Sequence, residues 1–130
     1  MAVRIVRLGT PRLPGEGIRI GTVRRPPRGV PKSEFASGNW YDVWYPNLSP
    51  SQPLVTQALR AKTDAEWRAF ARHFRAELAR PESQRTIDLL AALSRTTDFS
   101  VGCYCADESR CHRSILREVL LEHGAEVSSG

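Results

Sequence analysis

The sequence lacks any long hydrophobic run, and this absence excludes several classes of protein. No stretch approaches the roughly 20 apolar residues that a helix needs to cross a bilayer. The opening Met-Ala-Val-Arg-Ile-Val-Arg alternates apolar with basic side chains and has no apolar centre of the kind found in signal peptides. We therefore expect a cytoplasmic protein with no membrane partner.

Cysteine is also scarce, and the chain shows neither internal repeats nor low-complexity tracts. The three cysteines, Cys103, Cys105 and Cys111, fall close together near the end of the 130 residues. Small secreted proteins spread an even number of cysteines along the chain, so this pattern favours free thiols in a reducing compartment. Hydrophobic residues make up 41% and charged residues 25%, which is ordinary globular usage. We expect one domain over residues 1–130.

Acidic side chains are outnumbered by basic ones. The 19 Lys and Arg residues against 14 Asp and Glu residues give a net charge of +5. Most of the basic residues are arginine, whose planar guanidinium binds phosphate and carboxylate groups through two hydrogen bonds. The balance favours an anionic partner but does not identify it, and it leaves the oligomeric state open.

The hydrophobic pattern alternates between strand and helix periods along the chain. It predicts strands over residues 3–8, 18–23, 40–45 and 99–105, a short edge strand at 125–127, and helices over 49–62, 63–78, 82–94 and 111–122. A strand followed by a loop and a helix is half of a parallel crossover unit. We therefore predict an α/β fold with a small, mainly parallel sheet flanked by helices.

Helical spacing also predicts which side chains form the core. The sequence Thr63-Asp-Ala-Glu66 is a capping box that marks a helix start. The apolar faces of the two helices that follow are expected to bury Trp67, Phe70 and Phe74 in the first and Ile87, Leu90 and Leu93 in the second.

The segment from Cys103 to Ser114 carries the strongest chemical signal. It joins the carboxyl end of a predicted buried strand to the start of a helix, which is where ligands bind in open α/β sheets. Free amides at a helix N-terminus attract anions and make a nearby cysteine more acidic. We predict catalytic roles for Cys103, Cys105, Cys111 and His112, and an anion-binding role for the adjacent Arg113.

Three interpretations of this segment stay open. A thiol could act as a nucleophile, with His112 or Arg113 lowering a cysteine pKa. Zinc is a second possibility, but the C-x-C-x5-C-H spacing is unusual. Residues Cys111 and His112 would also point about 100° apart on a helix, so we expect no metal site. In the third interpretation Cys103 and Cys105 simply fill a buried strand.

An arginine-rich segment, residues 24–32, follows the second predicted strand. Its three prolines prevent a helix, so it must be an extended or turning loop. If the second strand runs parallel to the strand ending at Cys105, both loops open at one edge of the sheet. We then expect Arg24, Arg28 and Lys32 to bind an anion together with Arg113. The alternative is a solvated basic loop.

Several motifs together resemble a known family. They are Gly17-Ile-Arg-Ile, the Arg-Gly-x-x-Lys of residues 28–32, Pro50-Ser51, the aromatic pattern Trp67-x-x-Phe70-x-x-x-Phe74, and the closing Cys-His-Arg-Ser of residues 111–114. In this order, over nearly the whole chain, they are similar to the domain of unknown function 488. The resemblance implies a small intracellular α/β domain whose activity is not established and whose cofactors are unknown. Many members of that family carry an Asp and a Trp at two positions that, by this resemblance, are Val23 and Pro26 in the present chain.

These observations favour an anion-binding domain for a phosphorylated small molecule, a nucleotide or a nucleic acid. A thiol- or metal-dependent enzyme using the cysteines and His112 is the alternative, and a non-catalytic interaction module is the third. The sequence does not decide whether the protein is an enzyme.

Overall fold

The computed structural model describes residues 1–128 and contains a five-stranded, wholly parallel sheet. In chain order the main elements are β1 (Val3–Arg7), β2 (Ile18–Gly21), β3 (Val43–Trp44), α1 (Gln52–Arg60), α2 (Asp64–Leu78), α3 (Pro81–Ser94), β4 (Phe99–Cys103), α4 (His112–Glu122) and β5 (Val127–Ser128). Short 3₁₀ turns cover Lys32–Glu34, Pro46–Leu48 and Glu108–Arg110. The strand order is β3-β2-β4-β1-β5. The predicted α/β class is confirmed.

The helix boundaries follow local sequence signals. At the start of α2 the Glu66 amide donates to Thr63 Oγ1 at 3.1 Å, and the Thr63 amide donates to Glu66 Oε1 at 3.1 Å. This is the expected capping box. Proline opens α3, and Gly124 adopts a φ of +85° just beyond α4, where a residue without Cβ ends a helix most easily.

The main core packs the helices against the sheet. Its buried side chains include Phe70, Phe74, Leu78, Ile87, Val101, Leu116 and Leu120. Trp67 is only partly buried, and Leu93 is 39% exposed. The expected place of Leu93 in the α3 stripe is therefore wrong, because the buried face runs instead through Ile87, Leu90, Ala91 and Ser94 at true helical spacing.

The third strand is much shorter than the predicted 40–45. Asn39 has a φ of 62°, which turns the chain just before this segment. The Tyr41 ring lies over Gly21, where an added Cβ would approach the ring to 2.3 Å. Only Val43 and Trp44 then pair with β2. Among the described residues no helix has the length and hydrophobicity that crossing a membrane requires.

The register brings three strand ends to one edge of the sheet. Residue Arg7 in β1 pairs with Cys103 in β4, and Gly21 in β2 pairs with Gly102 in β4. Because all three strands are parallel, the segments that follow them leave the sheet at the same edge. The condition for a shared site, that β2 runs parallel to the cysteine-bearing strand, is therefore met.

Candidate functional site

A cleft of about 900 Å³ opens at this carboxyl edge of the sheet. Its walls come from the segments that follow β1, β2 and β4, together with Trp40. We call it the arginine cleft, defined by Arg7, Arg25, Arg28, Trp40 and Tyr104. This position matches the place where open α/β sheets bind their ligands.

Tyr104 joins the segments that form the cleft. Its hydroxyl donates to the Arg25 carbonyl at 2.8 Å, and its own carbonyl accepts from Arg7 Nε at 3.3 Å. Its ring meets the Trp40 ring edge-on, with centroids 6.0 Å apart. Burial raises the pKa of Tyr104, so the hydroxyl stays protonated at neutral pH and keeps its role as donor.

The cleft carries uncompensated positive charge. Residues Arg7, Arg25 and Arg28 are all exposed, and no acidic residue lines the cleft. Among the described residues no carboxylate forms an ion pair with any of the three. The cleft therefore presents three guanidinium groups to solvent beside two aromatic rings.

A second group of side chains lies at the same edge of the sheet. The ligand atoms of Cys103, Cys111 and His112 all fall within 4.8 Å of one another. The structure joins Cys103 and Cys111 by a disulfide, and each cysteine is 1% exposed. We call these three residues the cysteine–histidine cluster. Cys105, the fourth ligand considered from the sequence, is exposed and lies outside it.

The ligand atoms of Cys111 and His112 lie close together, contrary to the expectation from sequence, because the two residues are not both helical. The angle of about 100° between neighbours applies only when both residues are helical. Cys111 is the N-cap of α4 and has extended backbone angles, φ −125° and ψ 146°, so only His112 belongs to the helix. The extended residue turns its side chain back toward the end of β4.

His112 is held in one orientation by the end of β2. Its Nε2 lies 2.7 Å from the Thr22 carbonyl oxygen. A carbonyl only accepts, so Nε2 carries the proton and Nδ1 keeps a lone pair. Burial lowers the pKa of His112 to about 4, so the ring is neutral near pH 7. Phe74 packs edge-on against it, with centroids 5.8 Å apart.

Arg113 is buried at the start of α4, beneath the loop that carries Cys105. It is 4% exposed, and its Nη2 donates to the Ala106 carbonyl at 3.5 Å. Its Nε and Nη1 have no hydrogen-bond partner among the described residues. Desolvation by the surrounding protein raises the pKa of the Cys105 thiol, although Arg113 acts in the opposite sense. A raised pKa disfavours the thiolate that a nucleophilic cysteine needs.

Comparison with known proteins agrees with these motifs. A family model described as the active DUF488-N3 subclade matches residues 3–124. The chain belongs to the DUF488 family. No curated protein and no solved structure gave a match. The matched range runs from β1 through α4, so it contains both the arginine cleft and the cysteine–histidine cluster.

The basic residues of the DUF488 loop at 24–32 do not all line one cavity. Arg28 lines the arginine cleft, but Arg24 donates to the backbone carbonyls of Pro46, Ser49 and Pro50 at 3.2, 3.0 and 3.0 Å. Arg24 thus joins this loop to the turn before α1. Lys32 lines a separate cavity of about 430 Å³ beside Phe35 and Trp44. Neither residue shares the cleft with Arg28.

Sequence reasoning missed two arginines of this DUF488 structure. Arg7 is the last residue of β1 and Arg25 follows the carboxyl end of β2, so the strand-end rule that selected Arg28 also pointed to them. Arg28 lines the arginine cleft, whereas Cys111 and His112 belong to the cysteine–histidine cluster and do not line that cleft.

A buried ion pair beside the cleft was also missed. Arg19 Nε donates to Glu16 Oε2 at 2.8 Å, and Arg19 Nη1 donates to the Thr10 and Asn39 carbonyls at 2.8 and 2.7 Å. The Ser100 hydroxyl donates to Glu16 Oε2 at 2.7 Å. In sequence, Arg19 is an ordinary polar position between Ile18 and Ile20, and nothing there signals a buried charge.

Proposed function

We propose that this protein binds a phosphorylated small molecule, a nucleotide or a nucleic acid in the arginine cleft. One observation carries the proposal: three exposed guanidinium groups line a single cleft that has no acidic residue. Guanidinium groups form charge-assisted, paired hydrogen bonds with phosphate oxygens.

The aromatic residues of the cleft favour a ligand with a planar group beside its phosphate. Trp40 and Tyr104 offer ring surfaces on which a base can stack. Residue Gly9, with a φ of +88°, lets the backbone approach the Trp40 ring, since an added Cβ would lie 2.9 Å from it. A nucleotide combines both chemical features in one molecule.

Repulsion among the basic side chains also supports an anion at this edge. The positive charges of Arg7 and Arg117 help to lower the pKa of Arg113, although desolvation is the larger cause. A bound phosphate near Arg7 would offset this repulsion. Arg113 would contribute through its charge from beneath the loop, while Arg28 would contact the ligand directly.

Calorimetric titration with ATP, adenosine and inorganic triphosphate tests the proposal. We expect ATP to bind the wild-type protein and Arg28→Gln to weaken binding roughly tenfold or more, as loss of a charge-assisted hydrogen bond does. Arg85→Gln is the matched control, because Arg85 is exposed on α3 and lies outside the cleft. If neither phosphate probe binds, or if both variants behave alike, the proposal is wrong.

A second candidate function is catalysis at the same edge. The matching family model describes an active subclade, and Trp40 and Tyr104 of the cleft pack against a buried hydrophobic cluster that includes Cys103 and Cys111. Burial of Cys103 and Cys111 and the raised pKa of Cys105 disfavour a thiol nucleophile. Turnover of ATP by the wild-type protein, followed by phosphorus NMR and lost in Cys111→Ser, would support an enzyme. Absence of turnover in both proteins would leave binding alone.

A further inference from the structure

We propose that Cys103, Cys111 and His112 bind a thiophilic divalent cation, Zn²⁺ by its ligand preference, through two Sγ atoms and Nδ1 when the Cys103–Cys111 pair is reduced to two thiols. The inference does not depend on anion binding in the arginine cleft, because it uses different side chains. It reverses the expectation, drawn from residue spacing, that the segment has no metal site.

The donor set and its spacing fit zinc. Two thiolates and one imidazole are ligands that Zn²⁺ takes, with Zn–S of about 2.3 Å and Zn–N of about 2.0–2.1 Å. Three donors at those bond lengths lie roughly 3.5–4 Å from one another around a tetrahedral ion. One ligand atom from each residue, Sγ for each cysteine and a ring nitrogen for His112, already lies within 4.8 Å of the others. Small side-chain rotations can therefore bring them to a common centre.

The backbone separation favours an ion between the sulfurs. The Cα atoms of Cys103 and Cys111 are 7.8 Å apart. A disulfide usually joins Cα atoms about 4.4–6.8 Å apart, and a separation beyond about 7 Å requires backbone movement. Such movement is opposed here, because the Cys103 carbonyl accepts from the Leu8 amide at 2.8 Å and the Cys111 amide donates to the Glu108 carbonyl at 3.1 Å. Two S–Zn bonds span the longer distance.

The orientation of His112 is that of a metal-binding histidine. In such residues the nitrogen that does not bind the metal usually donates to a carboxylate or backbone carbonyl, which fixes the ring and its tautomer. His112 Nε2 has this partner in the Thr22 carbonyl, at 2.7 Å. Nδ1 is then left with its lone pair for the ion.

The charge of the proposed site suits its buried position. Two thiolates and one divalent cation together carry no net charge, which makes their burial inexpensive. Tyr41 belongs to the same buried hydrophobic cluster as Cys103 and Cys111, and its hydroxyl has no hydrogen-bond partner among the described residues. Three protein ligands leave the fourth coordination position of a tetrahedral ion open, and a water or substrate oxygen bound there would add a polar group to this buried region.

Metal analysis of the intact protein tests the proposal directly. Protein purified under reducing conditions should retain about one zinc ion per chain, the stoichiometry of a single site. After removal of the metal, titration with Co²⁺ should produce the ligand-field bands of a tetrahedral ion and a thiolate-to-cobalt charge-transfer band. The variants Cys103→Ser, Cys111→Ser and His112→Gln should each lose the metal, whereas Cys105→Ser should retain it.

The cobalt spectrum of the wild-type protein tests for the metal site even if a variant fails to fold. Circular dichroism and mass spectrometry establish that the metal-free protein is folded and that its thiols are reduced. Folded, reduced protein that binds neither Zn²⁺ nor Co²⁺ would overturn the proposal. So would retention of the metal in all three cluster variants, or its loss in Cys105→Ser alone. Since binding is measured without ATP, failure of the cleft proposal leaves this result unaffected.

Discussion

Glu16 and Arg19 form an ion pair that is almost completely removed from solvent. Their side chains are 2% and 1% exposed. Burial by itself raises the pKa of Glu16, but hydrogen bonds from Arg19 and Ser100 outweigh it and hold the pKa at about 2. The pair also fixes Thr10, which lines the arginine cleft, through Arg19. Two residues with no contact to a ligand thus help to shape the candidate site.

We expect Glu16→Gln to destabilise the protein by about 3–5 kcal/mol at neutral pH, because Arg19 would keep its charge with no partner in the interior. The pKa of Glu16 is lowered from 4.5 to about 2 on folding, so its contribution is fully present above pH 4.5 and is lost as the pH falls toward 2. Urea unfolding between these pH values should therefore show a flatter pH dependence in the variant. The exposed Glu82→Gln should keep the wild-type profile, and equal losses in both variants would contradict the assignment.

Phe74 is a central residue of the main core. It is 0% exposed, stacks on Phe70 with centroids 6.0 Å apart, and contacts His112. Phe74→Ala should lower the free energy of unfolding by about 3–5 kcal/mol, as large aromatic truncations in cores do. Leu89→Ala on the exposed side of α3 should change it by no more than about 0.5 kcal/mol. Comparable effects of the two substitutions in urea denaturation would show that the core is misassigned.

At the scale of the element, the capping box determines where α2 begins. Thr63→Ala removes the acceptor for the Glu66 amide and should cost about 1 kcal/mol, within a usual range of roughly 0.5–2 kcal/mol. Thr63→Ser keeps a hydroxyl at the same place and should retain most of the stability. Thermal unfolding of the two variants measures the difference. A serine variant as unstable as the alanine variant would point to a role for the Thr63 methyl group instead.

The elements that were predictable from sequence are those with strong local signals. The capping box, the apolar stripe of α2 and the continuous apolar run of β4 each carry their structure in neighbouring residues. The predicted length of the third strand was wrong because that length depends on how Tyr41 packs over Gly21, a contact between segments that are distant in sequence. The local sequence pattern does not encode such a contact.

The candidate site was predictable in position but not in composition. Parallel strands bring their carboxyl ends to one edge, and the strand-end rule points to that edge, where the arginine cleft opens. Which arginines face the cleft depends on long-range hydrogen bonds, such as those that draw Arg24 toward the carbonyls before α1. Convergence of Cys111 and His112 depended on the backbone angles of a single N-cap residue.

At the scale of the whole molecule, ion pairing within the described residues neutralises part of the positive charge but none of the charge of the cleft arginines. Several arginines outside the cleft are neutralised by neighbouring carboxylates: Arg12 by Asp42, Arg19 by Glu16, Arg75 by Glu118 and Glu122, Arg110 by Asp64, and Arg117 by Glu108. The cleft arginines have no such carboxylate among the described residues. The net charge of +5 is therefore carried by the three cleft arginines together with other basic residues, such as Arg85, that form no ion pair among the described residues.

This distribution predicts how salt will act if the ligand is a nucleic acid. Each phosphate neutralised on a single strand releases counterions, so log K should fall against log salt with a slope of about −0.7 per contact. Arg28→Gln should weaken binding of a fluorescent single-stranded oligonucleotide and reduce that slope by about 0.7, the contribution of one phosphate. Arg85→Gln should leave both quantities near their wild-type values, since Arg85 lies outside the cleft. Oligonucleotide binding that ignores salt would remove nucleic acid from the candidates, and ATP would then remain as the model for a small phosphorylated ligand.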